Sequence, residues 1–527
     1  MILPIFGLLS VLLAVNTLAG TQPMQKNKLA QGTVFEDANN NGLQDKNEKG
    51  IPGVLVSNQK DVVRTDAEGR YEIPVDDETI VFITKPAGYS VPLDENNLPQ
   101  FFYIHQPKGS PALKYKGVEP TGKLPKMIDF PLIKDTLKDS FDVLVFADTQ
   151  PLSATEVDFV RDDVIAELVG IKTAFGVTLG DIMFDNLDLF ARQNQVIAKL
   201  GIPFYNVPGN HDMNYDAAGD RYSLETFKRH FGPNYFSFDY GKVHFIALDD
   251  VEYQGRHPET GAPRYQGLLG EKQLAWLEND LRMVDRERLV VLMMHIPLFN
   301  PRALSPQANV MDRDKLFSLL KNRESLLAIA GHLHQFRHDS IDSTAGWQGE
   351  TPLEQISCAA VCGSWWSGPK DVRGIPDATQ IDGTPNGYHI FNFNGTNWTQ
   401  KYYAAGHDPD DQMRIVSPAG SLNQSDLDSL KILVNVFSGT QDSEVTCSID
   451  GGPHAEMVRV TMKDPFFERM NKTRNETFKP FVRAAASEHM WIASFPENLK
   501  TGMHVITVKA VDRYSKNYTS HAIFEVK

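Results

Sequence analysis

Residues 142–150 of the chain read DVLVFADTQ, and this stretch gives the first indication of the fold. The apolar run that ends at Phe146 is typical of a buried strand, and Asp148 follows almost at once. A carboxylate at the end of a buried strand is costly unless it has a use. Together with Gln150, two residues further on, it therefore indicates a functional position at the edge of a sheet.

Four further apolar segments end in residues that can bind a metal ion. They are TAFGVTLGD, ending at Asp181, IPFYNVPGNHD, ending at Asn210 to Asp212, LVVLMMH, ending at His295, and LLAIAGHLH, ending at His332 and His334. In open α/β sheets the carboxyl ends of the strands share one edge, so residues far apart in the sequence converge there. One such residue would often be structural, whereas five segments in order predict a metal site.

The pattern of strands and helices indicates three parts of the chain. Residues 27–115 read as short strands separated by turns, which is typical of a small all-β module. From 140 to 405, apolar strands alternate with helical segments such as TEVDFVRDDVIAELVG, the signature of an α/β domain. Strand alternation resumes over 411–527, which predicts a second β-sandwich. We therefore expect an α/β domain with small all-β domains at both ends.

Composition and charge exclude some classes of function. The net charge of −15 argues against a nucleic-acid-binding surface. Residues 1–20 form an apolar run that ends in small residues, which predicts a signal peptide and export to the periplasm, the medium or the cell surface. The alternatives are a membrane anchor or a buried helix. No other long apolar run is present in the sequence, so we expect no transmembrane segment in the mature chain. The sequence contains no indication of an oligomeric state.

Residues 37–48, DANNNGLQDKNE, fit the pattern of a calcium-binding loop, in which short oxygen side chains alternate and a distal Glu completes the shell. The predicted ligands are Asp37, Asn39, Asn41, Leu43, Asp45 and Glu48. Strand-like segments flank the loop, and with TDAEGRYEI downstream the region resembles the calcium-binding B-repeats of bacterial surface proteins. That resemblance implies a structural Ca²⁺ and no catalysis. The alternative is a solvated turn that needs no ion.

Taken together, the blocks ADTQ, GDIMFDN, PGNHD, MMH and GHLH resemble the calcineurin-like metallophosphoesterase family. The resemblance covers most of residues 141–400, and the order of the three domains is similar to that of bacterial exported members. It implies a four-layer arrangement for the α/β domain, a β-sandwich flanked by helices, and a phosphate mono- or diester as substrate.

The resemblance also implies a two-metal centre. One ion would be held by Asp148, Gln150 and His334, the other by Asn210, His295 and His332, with Asp181 bridging both. Two such cations clamp one phosphate and activate a water, and mixed nitrogen and oxygen ligands suit Mn²⁺, Fe or Zn²⁺. Gln150 stands where the family usually has a histidine. It either offers its side-chain oxygen as a harder and weaker ligand, or water takes its place.

Further residues of the site are implied by the same resemblance. His211 resembles the family's acid, which protonates the leaving oxygen, and Asp185 or Asp212 would orient its imidazole. Trp365, Trp366 and Tyr388 come after the last ligands. These three either wall the cleft and stack on an aromatic or sugar portion of the substrate, or belong to the core and its turns.

The sequence thus favours an exported dinuclear-metal phosphoesterase in which a metal-activated hydroxide attacks phosphorus. The competing interpretation is a calcium-stabilised cell-surface binding protein with a degenerate phosphoesterase domain. Gln150 and the flanking β modules are the features that favour this second interpretation.

Overall fold

The structure, a computed structural model, describes residues 28–473 and 477–527. The predicted signal peptide, residues 1–20, lies outside the described residues. Within those two ranges, no helix is both long enough and apolar enough to span a membrane. The described residues form, in chain order, a β-sandwich, a larger α/β domain and a second β-sandwich.

The N-terminal module is built from two four-stranded sheets. Its strands are β1 (Lys28–Glu36), β2 (Leu55–Ser57), β3 (Val62–Arg64), β4 (Arg70–Val75), β5 (Thr79–Thr84), β6 (Tyr89–Ser90), β7 (Phe102–His105) and β8 (Phe130–Lys134). The sheet orders are β4-β1-β8-β6 and β3-β2-β5-β7, with Val34, Ile73 and Phe82 in the core. Because β8 pairs in parallel with β1, the module extends to Lys134, beyond the predicted end at residue 115.

The central domain contains two large mixed sheets. Its strands are β9 (Ser140–Phe146), β10 (Phe175–Leu179), β11 (Phe204–Val207), β12 (Phe236–Tyr240), β13 (Val243–Ala247), β14 (Val251–Arg256), β15 (Pro263–Gly267), β16 (Leu289–Met293), β17 (Leu326–Ala330), β18 (Arg337–Ile341), β19 (Leu353–Ser357), β20 (Gly387–Asn394) and β21 (Asn397–Ala404). The first sheet has the order β11-β10-β9-β20-β21 and the second β12-β13-β16-β17-β19-β18, while β14 and β15 form a separate hairpin.

Helices lie along both sheets of the central domain. They are α1 (Ala154–Phe159), α2 (Ala166–Leu168), α3 (Phe190–Ile197), α4 (Glu225–Phe231), α5 (Gly270–Leu281) and α6 (Arg313–Leu320). A π-helical segment, Val160–Ile165, joins α1 to α2, so the helix predicted from TEVDFVRDDVIAELVG forms as one continuous helical segment.

The two large sheets pack face to face with helices outside them. Phe175 of β10 meets Phe245 of β13 edge-on between the sheets, with ring centroids 5.2 Å apart. On the opposite face of the first sheet, Phe146 packs in a cluster with Val160 of the helical segment. On the outer face of the second sheet, His244 of β13 lies 2.8 Å from a carboxylate oxygen of Asp280 in α5. The predicted four-layer α/β arrangement is therefore confirmed.

The strands that precede the predicted ligands run parallel to their neighbours. β9, β10 and β11 are parallel in the first sheet, and β13, β16, β17 and β19 are parallel in the second. Asp148, Asp181 and Asn210 follow the first three of these strands, and His295 and His332 follow β16 and β17. The parallel topology thus gathers the five positions at the carboxyl ends of the strands.

The C-terminal domain is a second β-sandwich. Its strands are β22 (Met413–Ser417), β23 (Gly420–Leu422), β24 (Lys431–Val436), β25 (Glu444–Ile449), β26 (Ala455–Glu456), β27 (Val458–Lys463), β28 (Ala486–Ser494), β29 (Gly502–Val511) and β30 (Asn517–Val526), and its helix is α7 (Pro465–Lys472). The sheet orders are β22-β24-β28-β27 and β23-β30-β29-β25-β26. Val434, Trp491 and Val508 form part of the core between the sheets.

A buried polar network holds the C-terminal domain against the central domain. The two ring nitrogens of His489 lie 2.9 Å from Asn435 Oδ1 and 3.0 Å from Asp382 Oδ2. The same Asp382 oxygen accepts the backbone N–H of Phe336, two residues after His334, at 3.2 Å. Because buried polar groups are costly unless they are all satisfied, this network favours one orientation of the C-terminal domain beside the strand ends.

Candidate metal centre

The turns that follow the strands hold several side chains in an uncommon backbone conformation. Asp148, Gln150, Asp181, Asp185, His332 and His334 have φ values of 48°, 37°, 50°, 64°, 71° and 51°. A non-glycine residue in this region costs on the order of 1–3 kcal/mol, and such residues cluster at functional sites. The fold therefore carries strain at five of the seven predicted metal ligands, all but Asn210 and His295, and at Asp185.

Asp148 presents a carboxylate oxygen that the protein leaves without a partner. Its Oδ2 accepts the backbone N–H of His332 at 2.9 Å. Its Oδ1 lies 3.6 Å from Nε2 of His334, is buried, and has no hydrogen-bond partner among the described residues. A buried carboxylate oxygen without a donor is costly, and a bound cation would satisfy it.

Asp181 lies at the centre of the site. Its Oδ1 accepts the backbone N–H of His211 at 2.8 Å and lies 3.3 Å from Nε2 of His295. Its Oδ2 accepts a hydrogen bond of 2.7 Å from the side-chain amide of Gln150. The two oxygens thus have different neighbours, and this carboxylate would be the residue that two cations share if both were bound.

The second group of donors surrounds His295. Its Nε2 lies 3.1 Å from Oδ1 of Asn210 and 3.1 Å from Nδ1 of His332. Its Nδ1 lies 2.9 Å from the carbonyl oxygen of Leu179, which fixes the ring and directs Nε2 into the site. The ligand atoms of Asp181, His295 and His332 all lie within 4.8 Å of one another, so one ion can contact all three.

His334 belongs to the first group, beside Asp148. Its Nδ1 lies 2.6 Å from the carbonyl oxygen of Gly363, so this nitrogen carries the proton and Nε2 is the free donor atom. The ring of Trp365 stacks on the imidazole with centroids 3.9 Å apart and planes at 24°. The stacked tryptophan and the carbonyl together hold His334 in the orientation that a ligand needs.

These donors fit two cations that share one carboxylate. We refer to the predicted ligands other than Gln150 as the strand-end cluster: Asp148, Asp181, Asn210, His295, His332 and His334. Burial, mixed nitrogen and oxygen donors, and the unpartnered Asp148 oxygen are the properties expected of a site for borderline or hard transition metals.

Gln150 lies in the site and contacts Asp181. Its amide nitrogen points to Asp181, and its side-chain oxygen lies 3.5 Å from Sγ of Cys362. The physical reason is that Asp181 Oδ2 is buried and needs a donor, which the glutamine amide supplies. In this orientation the Gln150 amide supports the Asp181 carboxylate, and coordination of a metal by its side-chain oxygen stays a prediction.

The structure distinguishes between the two predicted partners of His211. Its Nδ1 lies 2.6 Å from Oδ1 of Asp185. The carboxylate of Asp212 accepts the backbone N–H groups of Ile182, Met183 and Gly209 at 3.1, 3.0 and 2.9 Å, so it shapes the turn and does not orient the imidazole. The prediction is therefore wrong for Asp212, because a buried carboxylate at this turn is needed by three backbone donors. Asp185 occupies the predicted position.

The pKa values of several side chains in the site are strongly shifted from their usual values. Burial raises the pKa of Asp148 to about 7 against the opposing charge of His295. Burial acts in the same direction on Asp181, but the charges of His295 and His211 outweigh it and hold the pKa of this carboxyl well below its usual value. Burial and the charge of His295 lower the pKa of His332 to about 3, so its imidazole is neutral, as a metal ligand must be.

His295 shows the opposite shift. Burial lowers the pKa of its imidazole, but the neighbouring Asp181 carboxylate outweighs burial and raises this pKa to about 10. A cation bound beside Asp181 would compete with the His295 proton, because ligands bind metals in their deprotonated form. Metal affinity at this position is therefore expected to rise with pH.

Asp250 is a functional position that the sequence interpretation missed. Its Oδ1 accepts the backbone N–H groups of His295 and Ile296, both at 3.2 Å, and its Oδ2 is buried without a partner among the described residues. The carboxylate thus holds the turn that presents His295. The sequence does contain an indication of this role. Asp250 ends the segment FIALDD, in which an acidic residue again follows an apolar strand, here β13.

The three predicted aromatic residues separate into two environments. Trp365 lies at the site, partly buried against His334. Trp366 is buried and donates its indole N–H to the carbonyl oxygen of Thr149 at 3.0 Å. Tyr388 is buried and stacks on Tyr403, with centroids 5.5 Å apart. The cleft-wall interpretation is therefore wrong for Trp366 and Tyr388, which belong to the apolar cluster behind the first sheet.

The predicted calcium loop satisfies its oxygens internally. Asp37 accepts the backbone N–H groups of Asn41 and Gly42, and Glu48 accepts those of Ala38 and Asp45. The remaining predicted ligands, Asn39, Asn41, Leu43 and Asp45, lie on the exposed surface of the same loop. The loop is thus held together by its own hydrogen bonds, and calcium binding stays a prediction.

Three models of known families match the chain in consecutive stretches. The N terminal of calcineurin-like phosphoesterase matches residues 38–116, calcineurin-like phosphoesterase matches residues 141–336, and the C terminal of calcineurin-like phosphoesterase matches residues 356–518. The last match begins inside the central domain of the structure, since β20 and β21 belong to its first sheet.

Individual proteins match shorter parts of the chain. A probable glycerophosphodiester phosphodiesterase of Arcobacter nitrofigilis is 28% identical over 145 residues, which are 27% of this chain and 49% of that protein. Acid phosphatase type 7 of Mus musculus is 30% identical over 122 residues, 21% of this chain and 24% of that protein. A solved dimetal phosphatase from Danio rerio, 17% identical, covers 50% of this chain and 97% of its own with a TM-score of 0.34. This chain spans about half, or less, of the length of the curated relatives named here.

Proposed function

The chain belongs to the calcineurin-like phosphoesterase family, and on this basis we propose that it is an exported, dinuclear-metal hydrolase of phosphate mono- or diesters. The observation that carries the proposal is that the Asp181 carboxylate contacts His295 and also interacts electrostatically with Asp148 and His334, which lie beside each other. The site arises from strand ends that lie far apart in the sequence and that the parallel topology brings to one edge.

The strand-end cluster divides into two ligand sets. Asp148, Asp181 and His334 would hold one cation, and Asp181, Asn210, His295 and His332 the other. When bound, two such cations supply an activated water as nucleophile and neutralise the charge that develops on the phosphoryl oxygens. The donor set suits Mn²⁺, Fe or Zn²⁺.

His211 supplies the proton for the leaving oxygen. Because Nδ1 lies against Asp185, Nε2 is the ring nitrogen left to face a substrate. The carboxylate of Asp185 orients the imidazole and stabilises its protonated form. The ring of Phe184 stacks on His211, with centroids 4.4 Å apart, and keeps it in place.

Export is proposed from the apolar run at residues 1–20, which ends in small residues. The net charge of −15 repels an anionic phosphate ester, so the attraction for the substrate would come from the cations bound at the site. An enzyme placed outside the cytoplasm would act on esters of the periplasm, the cell surface or the medium.

The test is hydrolysis of 4-nitrophenyl phosphate and bis(4-nitrophenyl) phosphate by the full chain loaded with Mn²⁺. Replacing the shared carboxylate in Asp181→Asn should lower kcat/KM by roughly 1,000-fold, since several kcal/mol of charge stabilisation are lost. Asp77→Asn, which changes an exposed aspartate of the N-terminal module, is the matched control and should leave the rate unchanged. A wild type no faster than Asp181→Asn on either ester would refute the proposal and favour a calcium-stabilised binding protein.

A further inference from the structure

Three aromatic rings from two domains meet beside the two histidines of the site. We call Phe184, Trp365 and Phe481 the aromatic rim. Phe184 stacks on His211 and Trp365 stacks on His334. Phe481 comes from the C-terminal domain and contacts both rings, at 6.2 Å and 21° from Phe184 and at 5.1 Å and 82° from Trp365. The C-terminal domain therefore extends to the edge of the metal centre.

The segment that carries Phe481 is anchored to the central domain. The Lys479 ammonium donates to the carbonyl oxygen of Trp365 at 2.6 Å and to Glu156 at 2.9 Å. The backbone N–H of Lys479 donates to Ser367 Oγ at 3.1 Å. Phe478, on the other side of Lys479, is buried in an apolar cluster with Phe467 of α7. Phe481 is thus held at a defined position beside the site.

Phe481 nevertheless keeps half of its surface in contact with solvent, since its exposure is 50%. The residues around it explain its position but do not cover the ring. An anchored and half-exposed aromatic side chain next to a catalytic centre has the properties of a binding surface, because burying its remaining area would stabilise a complex.

The opposite side of the site has a different chemistry. Tyr215 donates its hydroxyl to the carbonyl oxygen of Asn210 at 2.5 Å, and Tyr265 meets His332 edge-on at 6.3 Å. These rings have polar tips, whereas the aromatic rim beside His211 consists of two phenylalanines and a tryptophan. The rings of the aromatic rim therefore differ from these tyrosines in carrying no hydroxyl, and the charged Lys479 ammonium lies 5.7 Å from the centroid of the Phe184 ring.

We propose that the aromatic rim is the subsite for the alcohol moiety of the substrate, and that Phe481 makes it select esters whose alcohol carries a flat aromatic ring. The inference rests on the proposed function, because His211 protonates the leaving oxygen and the departing alcohol then lies on the side of Phe184. Phe481 acts as a specificity-determining residue, and the C-terminal domain supplies part of the active site.

The test is calorimetric binding of benzylphosphonate and methylphosphonate to the Mn²⁺-loaded full chain, which needs no turnover. The wild type should bind benzylphosphonate about tenfold more tightly than methylphosphonate, as expected for one aromatic contact surface. Phe481→Ala should lose most of this preference with an unchanged affinity for methylphosphonate, and Phe481→Trp should keep it. Ile523→Ala, at an exposed apolar position of β30, is the matched control and should also keep it.

The outcomes separate the subsite from the catalytic proposal. A wild type without a benzyl preference, or an equal preference in Phe481→Ala, overturns the subsite. Turnover of benzyl phosphate and methyl phosphate is measured in parallel. A benzyl preference that depends on Phe481, without hydrolysis of either ester, supports the subsite and refutes the hydrolase. Hydrolysis of both esters at rates that Phe481→Ala does not change relative to each other supports the hydrolase and refutes the subsite.

Discussion

The strand-end cluster and the loop at residues 37–48 both present oxygen donors in patterns that metals use, yet they differ in what those oxygens contact. In the cluster, Asp148 Oδ1 is buried without a hydrogen-bond donor among the described residues. In the loop, the carboxylates of Asp37 and Glu48 accept backbone N–H groups of the loop itself. A cation would give Asp148 Oδ1 the partner that it lacks, whereas each of these loop oxygens already has one partner and would take the cation as a second.

Burial and backbone strain sharpen this difference. The aspartates of the cluster are buried, and both adopt positive φ, while most of the loop is exposed. A buried carboxylate without a donor is costly, and so is a strained backbone, so such features persist where they serve a function. A ligand pattern in the sequence therefore predicts which side chains can bind a metal. The burial and hydrogen bonding of those side chains in the structure indicate how much a bound metal would stabilise them.

The largest difference between the two regions is expected when divalent cations are removed. Under the proposed function, activity depends on cations in the strand-end cluster, so chelation should lower the rate of ester hydrolysis by roughly 1,000-fold or more. Mn²⁺ should restore the rate. Ca²⁺ should not, because it prefers a shell of oxygen ligands and the cluster is rich in imidazoles. The measurement is the hydrolysis rate after back-titration with each ion, and full recovery with Ca²⁺ alone would contradict the distinction between the regions.

A smaller loss is expected from His211→Gln. Removing the proton donor should lower kcat/KM by roughly 100-fold or more for an alkyl ester, and by less for a 4-nitrophenyl ester, whose leaving group needs no proton. Asp185→Asn should show the same dependence on the leaving group to a lesser degree. Asp212→Asn is the matched control, since this carboxylate binds backbone N–H groups and its loss should lower the melting temperature without any such dependence. Equal losses on both esters would remove His211 from the role of acid.

Changes at Gln150 should have a smaller effect than these, and the property affected should be the affinity for the metal. Gln150→Leu removes the hydrogen bond to Asp181, and losing a group that orients a ligand costs roughly tenfold in metal affinity. Gln150→His should instead raise the affinity for Zn²⁺, because it adds an imidazole at that position. Competition titrations with a chromophoric chelator measure both effects. Unchanged affinity in Gln150→Leu would show that the glutamine does not support the bridging carboxylate.

The smallest effect is expected in the loop at residues 37–48. A ligand present at several times its Kd stabilises the folded state by about 1 kcal/mol, so Ca²⁺ should raise the melting temperature slightly. Glu48→Gln should abolish the increase. Glu68→Gln, at an exposed glutamate of the same module that pairs with Arg70, is the control and should retain it. A melting temperature that does not respond to Ca²⁺ in the wild type would remove calcium from the account.

Much of the fold and the cluster was predictable from the sequence. An apolar run ending in Asp, Asn or His indicates a buried strand together with a polar residue at its carboxyl end, and parallel pairing then places those ends together. Asp148, Asp181 and His295 were accessible to this reasoning because each lies two residues after the end of its strand. Asp250 had a similar signal and was missed.

The remaining features depend on contacts that no local pattern encodes. Trp366 and Tyr388 looked like Trp365 in the sequence, and only their burial in the cluster behind the first sheet, against which the partly buried Trp365 packs, separates them. The orientation of the Gln150 amide depends on Asp181, which lies on another strand end. Phe481 reaches the site through docking of the C-terminal domain, and an exposed phenylalanine in a loop has no pattern of its own.

The most direct test of the central claim is anomalous diffraction from crystals of the full chain grown with both Mn²⁺ and Ca²⁺ and measured on either side of the Mn absorption edge. We expect two Mn peaks per chain, about 3.5–4 Å apart, beside the Asp181 carboxylate. We expect no Mn peak at residues 37–48. A single peak or none in the strand-end cluster, or Mn bound only at the loop, would contradict a two-metal site at the strand ends.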